Sequence, residues 1–226
     1  MKILIIPDVH GRDFWMEPCN HIDDFDKVVF LGDYHDPYPS EVSERTSRHR
    51  LRDHLVPFVE GHRDKVVCLH GNHDTSYLMG TAPCRYDHYH APTIRDLIGR
   101  LQTRLVYVVD NYIFTHSGIL TDWLDRNELS LQSVLDGDVQ KQMLDQISVY
   151  RGGDVLGGSP IWGDIREFVS KDIKHIPGYY QIFGHSKMEL PMFGDDFACL
   201  DCSKTFVLDT ETGALMDFSQ EISQEI

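Results

Sequence analysis

Three short runs, KILIIP at the N-terminus, KVVFLG from Lys27 and KVVCLHG from Lys65, are almost wholly apolar and rich in β-branched residues, and each is stopped by Pro or Gly. A run with no polar face reads as a strand covered on both sides, the usual state of a strand in a parallel sheet. Parallel neighbours need long crossovers, and the stretches between these runs are long enough for helices. Ser40 to Glu60 carries Val42, Leu51, Leu55, Val56 and Val59 among charges. That spacing predicts an amphipathic helix capped by Ser40 and ended or kinked at Pro57.

Beyond Asp74 the chain turns polar, aromatic and aperiodic as far as Pro92, and Ile94 to Leu101 is helical in pattern again. RLVYVVDNYIFTH predicts a β-hairpin turning at Asp110 and Asn111. Leu129 to Ile147 predicts an amphipathic helix, and Asp164 to about Lys171 another. YYQIFGH, FACLDC, TFVLDT and ALMDF close the chain as strands. A β-α-β half followed by an antiparallel half predicts one α/β domain over residues 1–226. Its two mixed sheets would pack face to face with helices outside, a four-layer α/β/β/α sandwich.

Charge narrows the partners. With 21 Lys and Arg against 36 Asp and Glu, the formal charge of −15 opposes duplex nucleic acid and anionic membranes, both of which are bound through cations. The same excess of carboxylates is compatible with divalent metal ions. Cys19, Cys68, Cys84, Cys199 and Cys202 are an odd, scattered set, which fits a reducing compartment. Cys199 and Cys202 form a C-x-x-C, but they lie in the strand pattern FACLDC and read as two thiols on a late strand. Ile3 to Ile6 is too short for a signal-peptide core or a membrane span, so a soluble, cytoplasmic protein is expected.

The polar residues fall where the strands stop. Asp8 and His10 end the first run, and in extended chain residues one apart point the same way. Gly32-Asp33 follows the second run and Gly71-Asn72-His73-Asp74 the third, while Thr115-His116-Ser117-Gly118 and Gly184-His185-Ser186 close later strands. Loops at strand ends are where sites are built.

In order, D-x-H, G-D-x-x-D, G-N-H-D, an isolated His and G-H resemble the calcineurin-like metallophosphoesterase family across residues 8–186, with G-N-H-D the most specific part. The resemblance implies the metallo-dependent phosphatase fold and two divalent metal ions. Asp8, His10 and Asp33 would hold the first, and Asp33, Asn72, His116 and His185 the second, with Asp33 bridging. A mixed nitrogen and oxygen shell suits Mn, with Fe or Zn also compatible. Metal-bound hydroxide would attack phosphorus directly, Asn72 would also face substrate, His73 would protonate the leaving group, and Asp36 would orient His73.

D-x-H followed by Gly11, the string T-H-S-G-I, and Lys187 where other members repeat a His resemble the branch of serine/threonine phosphatases, lambda phosphatase and symmetrical diadenosine tetraphosphate hydrolases. That branch continues G-D-x-x-D with Arg-Gly and binds phosphate through the Arg; here Pro37 and Tyr38 follow Asp36. Arg166 in IWGDIREF resembles the branch's second phosphate-binding Arg. The segment CRYDHYHAP reads as a surface loop whose rings could wall a site, and Ser117 and Ser186 lack the G-x-S-x-G context of a hydrolase nucleophile.

The expected activity is hydrolysis of a phosphomonoester on a protein serine or threonine or on a small molecule. A dinucleoside polyphosphate or a phosphodiester is the alternative substrate, and an inactive metal-binding scaffold the alternative of another class. A nuclease is disfavoured by the charge.

Overall fold

The computed structural model describes residues 1–80 and 84–224, and the chain divides into two compact units. One comprises residues 1–103 with the segment from Ser203 onward, the other Arg104–Cys202. Each is built on a five-stranded mixed sheet with flanking helices, so the chain is α/β. The strands are β1 (Lys2–Ile6), β2 (Lys27–Phe30), β3 (Val66–Cys68), β4 (Tyr107–Val109), β5 (Tyr112–Phe114), β6 (Tyr180–Phe183), β7 (Met192–Phe193), β8 (Phe197–Cys199), β9 (Phe206–Asp209) and β10 (Ala214–Asp217).

The first sheet has the order β10-β9-β1-β2-β3. β1, β2 and β3 are parallel, with Ile6 opposite Phe30 and Phe30 opposite Cys68. Their C-terminal ends therefore lie side by side, and Asp8, Asp33 and Asn72 each follow one of those ends. Ile3 to Ile6 are wholly buried, as a two-sided strand demands. β9 returns antiparallel to β1 and β10 extends the edge. Trp15, Phe30, Leu55, Val56, Tyr77 and Ile98 belong to the apolar core of this unit.

The helix predicted from Ser40 starts later. Ser43 is its cap, accepting the Thr46 N–H at 3.1 Å, and Glu44–Arg50 is α-helical. Leu51–Leu55 is a π-helical turn in which the Val56 N–H reaches the Leu51 carbonyl, and Val56–Gly61 resumes the α-helix. The run passes through Pro57 because Pro57 falls in the first turn of the resumed segment, where a missing N–H costs little.

The second sheet has the order β4-β5-β6-β8-β7. β4 and β5 form the expected hairpin, with Asp110 left-handed at the turn (φ 51°). β5, β6 and β8 are parallel, and two-residue β7, too short to leave a pattern, pairs with β8. Leu129 to Ile147 is not one helix: Leu131–Leu135 and Lys141–Leu144 are separated at Gly137, whose φ of 83° ends the first. The helix expected from Asp164 is the short Ile165–Phe168, with Asp164 as its cap. After β10 a helix, Phe218–Gln224, follows where only strands were expected. Among the described residues no helix is long and apolar enough to cross a membrane.

Candidate functional site

In the first unit, the loops after β1, β2 and β3 are tied to one another through backbone. The His10 N–H donates to the Asp33 carbonyl at 2.6 Å and the Gly11 N–H to that of Tyr34 at 3.2 Å. His10 is left-handed (φ 44°), so Asp8-x-His10 is not the plain strand extension that the sequence suggested. Asp33 and Asp36 share that conformation (φ 54° and 55°), which costs on the order of 1 kcal/mol each for a residue with a side chain. Gly32 permits the close approach: a Cβ there would stand 2.5 Å from the Gly71 backbone nitrogen. Asp74 then takes the N–H groups of Asp33 (2.6 Å), Tyr34 (3.0 Å) and Gly71 (2.9 Å), and Asp33 takes that of His73 (3.1 Å).

These ties converge buried donors. Asp8 and Asp33 bring carboxylate oxygens within 4.8 Å of each other, and His10 Nε2 lies 3.4 Å from Asp33 Oδ2 while its Nδ1 faces the His35 carbonyl at 3.0 Å. Burial pushes the His10 pKa down to about 3, so its imidazole is a neutral donor. Burial and the neighbouring Asp33 charge raise Asp74.

His73 opens the helix Asn72–Met79 and gives its Nδ1 to Asp36 Oδ2 at 2.6 Å. The other oxygen of Asp36 accepts the hydroxyl of Tyr77, one turn along the same helix, and the Tyr77 oxygen itself accepts the Asp87 N–H at 2.8 Å. Burial pulls the His73 pKa down, but the Asp33 charge and the Asp36 hydrogen bond outweigh it and carry it up to about 10. Arg85 Nη2 lies 3.3 Å from His73 Nε2.

In the second unit, the adjacency of parallel β5 and β6 sets His116 beside His185, with His116 Nε2 3.0 Å from His185 Nδ1. His185 is left-handed (φ 64°). Arg151 holds this turn, donating to the His185 carbonyl (3.1 Å) and the Ser186 hydroxyl (2.6 Å) while pairing with Asp164 (2.7 Å). Arg166 is half exposed, binds both oxygens of Asp164 and the Tyr150 carbonyl, and lies over the Tyr150 ring. Ser117 donates to the Ser159 carbonyl and accepts the Gly163 N–H, a structural rather than nucleophilic use.

The model of one family, the calcineurin-like phosphoesterases, matches residues 1–196. The chain belongs to the calcineurin-like phosphoesterase family. This phosphoesterase is therefore a metal-dependent enzyme of phosphoric ester hydrolysis. Among solved structures, it is similar to the cold-active protein-tyrosine phosphatase of a Shewanella species, at 18% identity and a TM-score of 0.59, over 96% of this chain and 80% of that one. It is also similar to a protein serine/threonine phosphatase of Saccharomyces cerevisiae, at 12% identity and a TM-score of 0.54, over 96% and 78%. Likenesses at these identities carry the fold alone. Comparison with curated protein sequences finds no match.

The donors fit metal chemistry in each unit of the phosphoesterase. Two buried carboxylates and a neutral imidazole in one, and two imidazoles with facing nitrogens in the other, make a mixed oxygen and nitrogen set suited to a first-row divalent ion.

Several neighbours escaped the sequence reading. Tyr77 stands four residues after His73, a spacing that becomes informative once the helix start is fixed. Cys84 bonds His73, which holds its thiol below the usual range. In CRYDHYHAP, which reads as a surface loop, Asp87 binds His90 Nδ1 at 3.0 Å and Arg48 at 2.5 Å, and Tyr86 stacks on Tyr77 at 4.3 Å. That segment is thus packed under the His73 helix through Tyr86 and Asp87, while Tyr89 is exposed.

Proposed function

We propose that this phosphoesterase hydrolyses phosphomonoesters, on proteins or small molecules, with two divalent metal ions, Mn foremost and Fe or Zn compatible, and that its two units act as one domain in the cytoplasm. Asp8, His10 and Asp33 would hold one ion, and Asp33, Asn72, His116 and His185 the other. When bound, such a pair supplies Lewis-acid charge for the phosphoryl oxygens and lowers the pKa of water.

The chain's own residues do the rest. His73 Nε2 donates the proton that the leaving oxygen needs, and the Nδ1 hydrogen bond to Asp36 fixes the tautomer and the ring plane that make this possible. Tyr77 holds Asp36 in turn, and the Asp87 N–H holds the Tyr77 oxygen. Asn72 contributes a neutral oxygen or an amide N–H beside the substrate. Arg166 would have to leave Asp164 to reach an anion, so it is the least prepared member of the set. The buried Asp36–His73 pair at the edge of the Asp33 cluster is the observation that carries the reading.

The test is turnover of para-nitrophenyl phosphate by protein stripped with chelator and reloaded with Mn, Zn, Fe or Mg, with bis-para-nitrophenyl phosphate beside it and Asp33→Asn as control. Activity that returns with a transition metal, favours the monoester and is absent in Asp33→Asn is expected. Preference for the bis-ester overturns the monoesterase assignment, and failure to retain metal overturns the ligand set.

A further inference from the structure

Arg85 is a guanidinium held ready without a carboxylate. Among the described residues it has no ion pair, in a chain with an excess of acidic groups, and its half-buried side chain leaves Nε buried with no hydrogen-bond partner. Its Cζ lies 3.8 Å from the centre of the Tyr38 ring, a close cation–π contact that anchors the guanidinium. Tyr38 is itself fixed edge-on to His10 at 5.1 Å. The second cation over that ring, Arg12, is already paired with Glu41 at 2.9 Å and bonded to Ser203.

Position gives the guanidinium its use. Nη2 is 3.3 Å from His73 Nε2, the ring nitrogen that does not meet Asp36. Any oxygen that meets Nε2 is therefore also within reach of the Arg85 fork. Arg85 also lines a cavity of about 550 Å³ with Pro37, Pro39, Val42, Arg45 and Arg48, which leaves room for the rest of a ligand. Its backbone is left-handed (φ 66°), the conformation shared by His10, Asp33, Asp36 and His185.

We propose that Arg85 is the phosphate-binding arginine of this chain, its fork resting on Tyr38 and closing on the phosphoryl group whose leaving oxygen faces His73. Pro37 and Tyr38, which directly follow Asp36, carry no cation, and Arg85 reaches the same corner from the segment after the helix Asn72–Met79. The inference rests on the phosphoesterase reading above and names the residue that orients its substrate.

Arg85→Ala and Arg85→Lys test it, with Arg52→Ala as a control for an exposed cation elsewhere. KM and kcat for para-nitrophenyl phosphate are measured together with the Kd of inorganic phosphate by titration calorimetry on metal-loaded protein. Arg85→Ala is expected to raise KM and the phosphate Kd by about ten- to a hundredfold at unchanged metal content, with added guanidinium ion restoring part of the loss. Arg85→Lys recovers only part, since an ammonium has no fork, and it keeps the test open if the alanine variant fails to fold. Phosphate binding by Arg85→Ala within about twofold of the wild type overturns the proposal. Wild-type protein that binds phosphate through Arg85 without hydrolysing the monoester overturns the phosphomonoesterase reading instead.

Discussion

Tyr77 gives its hydroxyl hydrogen to the carboxylate oxygen of Asp36 that His73 does not use. Both donors come from one face of one helix, so the carboxylate is gripped from a single rigid element rather than from two that move separately. Its own backbone, left-handed between β2 and Pro37, is the strained part of the arrangement.

Removing the phenol hydroxyl leaves one Asp36 oxygen and the Asp87 N–H without their partner. Tyr77→Phe is expected to lower kcat by about three- to tenfold with KM nearly unchanged, because it loosens the residue that positions the acid and touches no substrate. Steady-state kinetics on para-nitrophenyl phosphate give the answer; a rise in KM alone would place Tyr77 in substrate binding.

Asp36 and His73 act as a unit, so their losses should not multiply. Asp36→Asn is expected to reduce kcat by about a hundredfold, and the double variant with His73→Asn to be about as slow as His73→Asn alone. The double-mutant cycle is the measurement, and independent factors would separate the two residues.

Gly32 combines a φ of 112° with a contact that a methyl group cannot share. Gly32→Ala should cost at least about 2 kcal/mol of stability, from conformational strain together with the forced shift of Gly71. The midpoint of urea unfolding reports it. Bound metal should fall in parallel because Asp33 is the next residue.

Acid stability is tied to Asp164. Burial raises its pKa, but the hydrogen bonds from Arg166 and the charge of Arg151 outweigh that and hold it below the ordinary aspartate value. A depressed native pKa contributes stability that is complete above the unfolded pKa, about 3.9, and disappears as pH falls through the native value. Asp164→Asn should therefore be less stable than wild type at neutral pH, with the gap in urea midpoint closing below about pH 4. A gap that stays constant with pH would assign the effect to packing.

Every strand except two-residue β7 was legible because each is a largely apolar run ended by turn residues, and that same punctuation marked where Asp8, Asp33, Asn72, His116 and His185 would emerge. Left-handed His10 was not legible, since alternation along a strand says nothing of the turn that follows it. Gly137 lies inside the Leu129 to Ile147 pattern, whose apolar spacing taken alone reads as one helix, while the chain obeys the glycine. Tyr77 needed only the helix start to be seen. Arg85 needed the tertiary fold, because Tyr38 and His73, which give it meaning, are distant in sequence and its own neighbours in CRYDHYHAP suggest only a surface loop.

The π-helical turn at Leu51–Leu55 amounts to one residue more than an α-helix would need over that span. One residue is about 100° of rotation. Ahead of the turn, Ser47 meets His35 at 2.6 Å and Arg48 meets Asp87; behind it, Val56 and Val59 are buried in the core. The extra residue acts as a phase shifter, letting one continuous rod show the loop behind Asp36 one azimuth and the core another. Shortening the chain by a single position there would leave a straighter helix and a sound core, with Ser47 and Arg48 turned away from the loops they brace.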